Sequence, residues 1–223
     1  MIRKKCIMIY ILLLFFVSLN YTNVFAETNH KYNILIDLDD CKLYLLETQS
    51  NKPVKTYRIA GGKPSTPSPI GTWEIIYKGK WNKGFGTRWM QLSVPWGKYG
   101  IHGTNKPLTI GGSISLGCIR MLNSDVEELY DMVDYGTAVT IYGGPYDMMT
   151  YKFRSLIPGD RGADVFEVQR KLQDIGYFSG KIDGIYGEDL KASVIKYRKD
   201  HKLSNTHNID PEFYNAIGIK PFE

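Results

Sequence analysis

Between residues 31 and 63, apolar and polar positions alternate with a period of two, the mark of strands that bury one face. YNILIDLDD, KLYLLET and PVKTYRIAGG each read as a strand, with DDC as the turn between the first two. KPSTPSPIG, rich in proline and serine, interrupts the pattern as a loop. The alternation resumes in TWEIIYKG, WMQLSV and YGIHGT, and TAVTIYG predicts a closing strand. NSDVEELYDMVDYG departs from it. There Val126, Leu129, Met132 and Val133 fall on one helical face, and Ser124 with Glu127 predicts a capping box. Many short strands with one helix over 31–143 predict a mainly β domain, sandwich or barrel-like.

After Pro158 the period lengthens. Val165, Val168, Leu172 and Ile175 form one helical stripe that stops at Gly176, a natural residue for a helix end. Leu190, Val194 and Tyr197 form a second stripe. Asp210, Pro211 and Gly218 predict the cap, first turn and end of a short third helix. Residues 159–220 therefore predict a small all-α domain, near the size at which one core is only marginally stable. Residues 144–158 are expected to be the linker between the two domains.

The first 26 residues follow neither pattern. MIRKK carries the charge, IMIYILLLFFVSL carries none, and VFA supplies small residues before a cleavage point after Ala26. That is the order of a secretory signal peptide, with an uncleaved membrane anchor as the alternative. The mature protein is thus expected outside the cytoplasm, touching a membrane only through that segment if it is kept. Loss of Arg3, Lys4 and Lys5 leaves 25 basic residues against 23 acidic ones, so the formal charge falls from +5 to +2. So balanced a chain gives nucleic-acid binding no support.

Two cysteines remain after the leader. Cys41 and Cys118 could pair as a disulfide, the usual state of exported cysteines. Cys41 instead reads as an apolar strand position and a packed thiol. Cys118 sits in SLGCIRM, beside a glycine and two residues before an arginine. A thiol becomes a nucleophile when a base or a positive field populates its thiolate. His102, in YGIHGTN, is the candidate base; His30, His201 and His207 lie elsewhere. Those scattered histidines and the spacing of the acids show no metal-ligand cluster, and no cofactor is expected.

IHGTN, the later S-x-GCIRM and a following helix together resemble the L,D-transpeptidase catalytic domain of bacterial cell-wall enzymes. LYLLE, VKTYRIAGGKPSTPSPIGTWEI and VPWGKYGIHG extend the resemblance over roughly residues 32–142. It implies that Cys118 attacks a carbonyl of the peptidoglycan stem peptide, between an L- and a D-residue. It makes His102 the proton acceptor and donor, oriented by the backbone carbonyl of Gly103. Gly117 and Cys118 would offer N–H groups to the oxyanion, while Ser115 and Arg120 would shape the cysteine loop. Many members carry histidine where this chain has Leu116. The 3→3 cross-linking that the family carries out would then be the activity, and carbapenems would acylate the thiol. An L,D-carboxypeptidase shares the acyl-enzyme, and a non-catalytic wall-binding protein is the reading from another class. A papain-like protease fits poorly, since here the histidine precedes the cysteine. GDRGADVFEVQRKLQDIGYFSGKIDGIYGEDLKASVIKYRKDHKL resembles the three-helix peptidoglycan-binding module, which implies peptidoglycan as the partner of a monomeric, wall-associated enzyme. A chain ending near Gly144 is expected to stay folded and to act on soluble muropeptides.

Overall fold

The computed structural model describes residues 30–81, 84–144 and 153–220. The expected signal segment and residues 145–152 of the expected linker lie outside them. The strands are β1 (Tyr32–Asp37), β2 (Lys42–Glu47), β3 (Pro53–Gly62), β4 (Gly71–Lys80), β5 (Arg88–Leu92), β6 (Gly100–Gly103), β7 (Ser113–Ser115), β8 (Ile119–Met121) and β9 (Ala138–Tyr142). Neighbours run β2-β1-β9-β4-β5-β6-β8-β3, and β3 returns to β2, so the sheet closes on itself. β7 hangs on β3 outside this ring.

Closure depends on two long strands that bend between layers. β3 pairs with β2 through Arg58, then with β8 through Ile59 and Ala60. β4 pairs with β9 through Glu74 and with β5 from Ile75 onward. Ile34, Ile36, Leu43, Leu45, Ile59, Ile75, Met90, Leu92, Ile101 and Ile119 fill the interior. These are the inward members of the alternation seen in the sequence. The expected mainly β domain is present, and it is a barrel.

Helix α1 (Asn123–Met132) buries Val126 and Leu129 against this core. Its start differs from expectation. The helix begins at Asn123 behind Leu122, so Ser124 is already inside the first turn and caps nothing. Its hydroxyl donates to Asp125 Oδ1 at 3.1 Å, and Glu127 reaches Arg88 at 3.8 Å. Val133 lies just past the last turn yet stays buried. At that end Lys78 Nζ donates to the carbonyls of Tyr130, at 2.7 Å, and Val133, a favourable place for a cation.

The second domain has the three expected helices, α2 (Ala163–Asp174), α3 (Glu188–Asp200) and α4 (Pro211–Ala216). Asp210 caps α4 by accepting from Phe213 N–H at 3.0 Å. Ile175 leaves its predicted stripe and is 40% exposed, because α2 ends at Asp174 and Gly176 (φ +79°) turns the chain away. The expected linker is also shorter than proposed from sequence. Leu156 is fully buried in the second core and bridges Ile209.

Gln169 is a buried polar side chain that holds the DGIYG turn. Its Nε2 donates to Asp183 Oδ1 (2.9 Å) and Ile185 O (3.0 Å). Its Oε1 accepts from Asp183 N–H (3.0 Å) and Gly184 N–H (2.7 Å). Gln169→Ala strands those partners in a small core, so we expect about 2–4 kcal/mol of lost stability, from roughly 1 kcal/mol per bond. Urea unfolding of the full chain measures it. A loss below about 0.5 kcal/mol, well under one bond's usual share, would mean that the turn holds itself.

The two domains touch. Phe166 leaves the helical core and packs on Trp73 and Trp96 of the barrel, with ring centroids 5.8 and 5.6 Å away. Gly184 meets the same Trp96, where an added Cβ would come within 2.3 Å of the indole.

Candidate active site

β6 and β8 are parallel neighbours, with Ile101 opposite Ile119 and His102 opposite Arg120. Ile101, Ile119 and Met121 point into the barrel core. Alternation therefore sends His102 and Arg120 to the other face. Cys118 immediately precedes β8, and the Gly100 N–H at the start of β6 faces its sulfur. The sequence named both His102 and Cys118; His102 lies in β6, and Cys118 comes just before its parallel neighbour β8.

His102 is 3% exposed, and its Nδ1–H donates to the Gly103 carbonyl at 2.6 Å. That assignment leaves Nε2 as the basic nitrogen. Gly103 serves by its carbonyl, as expected, and by lacking a side chain. A Cβ there would meet Asn123 Oδ1 at 2.2 Å and Val126 at 3.1 Å. Asn123 Oδ1 also accepts from Thr87 N–H at 3.3 Å, tying α1 to the approach of β5.

The cysteine loop is held by Ser115. Its hydroxyl donates to the Cys118 carbonyl at 2.6 Å and accepts from Gly117 N–H at 2.9 Å. The shaping role expected of Ser115 has a visible means. The oxyanion role expected of Gly117 does not: its N–H is already committed to Ser115. Gly117 matters instead for its backbone, at φ +110°, with the Tyr99 ring packed where a Cβ would stand. The Ser115 carbonyl accepts from Lys63 N–H and Thr66 Oγ, both at 3.1 Å, fastening the proline-rich loop alongside.

Burial pushes the Cys118 thiol above its ordinary range, while the Gly100 N–H and the Arg120 charge pull it down. Burial pulls the His102 imidazole below its ordinary range; the Gly103 carbonyl opposes this and Arg120 adds to it. Burial thus favours a neutral thiol and a neutral imidazole at rest. Arg120, half-buried, acts on both members of the pair.

The sequence reading missed the walls of the site. Phe85 stands edge-on to His102 at 4.9 Å, and Trp89, its register partner on β5, lies at 5.7 Å. WNKGFGTRW, dense in aromatics and glycines, was the available signal. Cys41 was misplaced. It sits in the turn before β2 at φ +51°, half-buried, with Sγ donating to Leu38 O at 3.6 Å. Neither it nor Cys118 is in a disulfide. No group of three metal-ligating side chains occurs among the described residues.

Residues 31–141 match the family model described as "L,D-transpeptidase catalytic domain". The chain carries an L,D-transpeptidase catalytic domain. Residues 161–217 match a second model, "Putative peptidoglycan binding domain". A Bacillus subtilis protein named "Putative L,D-transpeptidase YkuD" is 46% identical over 112 residues, which are 49% of this chain and 65% of the relative. Another from that organism, "Putative L,D-transpeptidase YqjB", is 33% identical over 107 residues, 41% of this chain and 61% of the relative. The match thus spans less than two thirds of either relative. Among solved structures, the catalytic domain of the E. faecium L,D-transpeptidase is 26% identical at a TM-score of 0.44. It covers 52% of this chain and 99% of that one. The residues matched to the L,D-transpeptidase model, 31–141, span the barrel strands and α1 and include His102 and Cys118.

Proposed function

We propose that the protein is a cysteine-dependent peptidoglycan L,D-transpeptidase that forms 3→3 cross-links and works in the cell wall outside the cytoplasm. The observation that carries this reading is His102 on β6, its Nδ1 fixed by the Gly103 carbonyl, beside the start of β8 that Cys118 immediately precedes. Nε2 takes the thiol proton as sulfur attacks the carbonyl of the stem peptide's L–D bond. The same nitrogen returns that proton to the departing D-residue, leaving a thioester on Cys118. With Gly117 N–H engaged, the Cys118 N–H is the donor left for the oxyanion. An acceptor amine then attacks the thioester, forms the new amide and releases the thiol. The second domain favours the wall as the workplace by holding the enzyme near its polymer.

Incubating the mature protein with disaccharide tetrapeptide and analysing the products by mass spectrometry tests this directly. Cross-linked dimers and free D-residue are expected. Tripeptide alone would give the acyl-enzyme to water and make the protein a carboxypeptidase. Carbapenem exposure should add one covalent adduct, mapped to Cys118.

The pH profile of acylation follows from the buried pair. The reaction needs a proton on sulfur and none on Nε2. Since burial lowers the imidazole from its ordinary 6.5, the acid limb is expected below pH 6.5. Since burial raises the thiol from 9.0, the alkaline limb is expected above pH 9. Both limbs belong to the pair as a unit. Stopped-flow acylation across this range checks it. An acid midpoint above 6.5 would mean that a resting ion pair, and not a neutral pair, enters the reaction.

A further inference from the structure

A cleft of about 370 Å³ lies where the two domains meet beside the cysteine loop. The barrel supplies the proline-rich loop at 64–69, Trp96, Tyr99 and Leu116. The second domain supplies Arg154 and Arg161. Leu116 is two positions from Cys118, and Tyr99 packs directly on Gly117, so the cleft adjoins the nucleophile's own loop.

The two arginines differ. Arg154 is consumed in structure: it pairs with Asp164 at 2.6 Å and Asp160 at 3.2 Å, and donates to the Arg161 carbonyl at 3.2 Å. Arg161 is exposed, and its guanidinium makes no ion pair among the described residues. Its backbone is nonetheless fixed, by that contact with Arg154 and by a bridge to Ile185. Its charge reaches the Tyr99 hydroxyl, a group that also feels Cys118. A rigidly based cation without a carboxylate partner, facing a cleft beside a peptide-cleaving thiol, has the chemistry to receive a substrate carboxylate.

We propose that Arg161, from the second domain, binds a carboxylate of the acyl-donor peptide in this cleft, so that the small domain completes the substrate site. This rests on the transpeptidase reading and changes the role of the small domain from tether to part of the site. A chain ending near Gly144 lacks the arginine and leaves Trp73 and Trp96 without Phe166. It should therefore turn over soluble peptide poorly, against the expectation from sequence.

The test is steady-state kinetics of the full mature chain, as wild type, Arg161→Ala and Arg161→Lys. Three synthetic stem tetrapeptides serve as donors: the free acid, the C-terminal amide, and the peptide with its internal carboxylates amidated. Arg161→Ala should raise KM for the free acid about tenfold or more, as loss of a charge-assisted hydrogen bond implies, with kcat nearly unchanged. Arg161→Lys should restore part of the loss. One of the two amides should bind wild type and Arg161→Ala equally, and that amide identifies the carboxylate. Equal KM values for both enzymes on the free acid, or equal losses on all three donors, overturn the proposal. Intact-protein mass spectrometry of the wild type separates the two levels. An acyl-enzyme on Cys118 with an indifferent Arg161→Ala removes this proposal alone, whereas no acyl-enzyme removes the transpeptidase reading and the proposal together.

Discussion

Cys118→Ala and His102→Ala are each expected to lower turnover of stem tetrapeptide by about a thousandfold or more, with the fold retained. In the proposed mechanism the two side chains act as one proton-transfer unit, so either loss removes most of what the pair supplies, and the double variant should be little worse. The surroundings support retention of the fold. The Cys118 loop is held by Ser115, Gly117 and the proline-rich segment. His102 is more deeply set between Phe85 and Trp89, so His102→Ala leaves a cavity and should also lose about 1–3 kcal/mol of stability. His102→Gln keeps more of the volume and separates chemistry from packing. The measurements are kcat/KM and urea unfolding on the same preparations. Wild-type turnover in Cys118→Ala, with the intact mass verified, would end the nucleophile assignment. A double variant far worse than either single would show that the two do not act as a unit.

The proposed catalytic pair was legible in the sequence because its motif is local, whereas its surroundings come from pairing over distance. Period-two alternation placed β1 to β4 and β9 well. It could not reveal β7 and β8, each three residues long and on either side of the cysteine. Nor could it reveal that β8 lies parallel to β6, the pairing that sets His102 opposite Arg120. Barrel closure was equally hidden, since β1 meets β9 across most of the domain. The errors have local causes. Ser124 and Glu127 have the right spacing for a capping box, but α1 starts two residues early because Asn123 is drawn in by Thr87 and the side-chain-free Gly103. Ile175 has the right period for a buried stripe, but Gly176 ends the helix before that period completes. Gly117 was chosen for its N–H, and only the structure shows Ser115 taking it. The contact of Phe166 with two tryptophans could not be read at all, because the periodic pattern of α2 accounts only for its other face.

Gly117→Ala should lower kcat/KM about a hundredfold although it removes neither of the proposed catalytic side chains. Two effects combine. At φ +110° an L-residue is strained whatever the space around it, costing about 1–3 kcal/mol. The new methyl would also stand 2.6 Å from the Tyr99 ring and 3.1 Å from the Pro67 carbonyl, so the loop must shift. A shift there breaks the Gly117 N–H bond to Ser115 and moves Cys118 relative to His102, and small misplacements of a nucleophile are costly in rate. Tyr99→Ala opens the space beside the methyl without altering the backbone requirement. The double variant therefore divides the loss into its steric and torsional parts. If crowding dominates, the double variant should be more active than Gly117→Ala. If torsion dominates, the two should match. Carbapenem acylation of Cys118 supplies a second readout, because it needs the aligned thiol but not the stem-peptide contacts. Full acylation rate in Gly117→Ala, with turnover also intact, would show that the loop tolerates a side chain at 117 and that its left-handed geometry does not position the nucleophile.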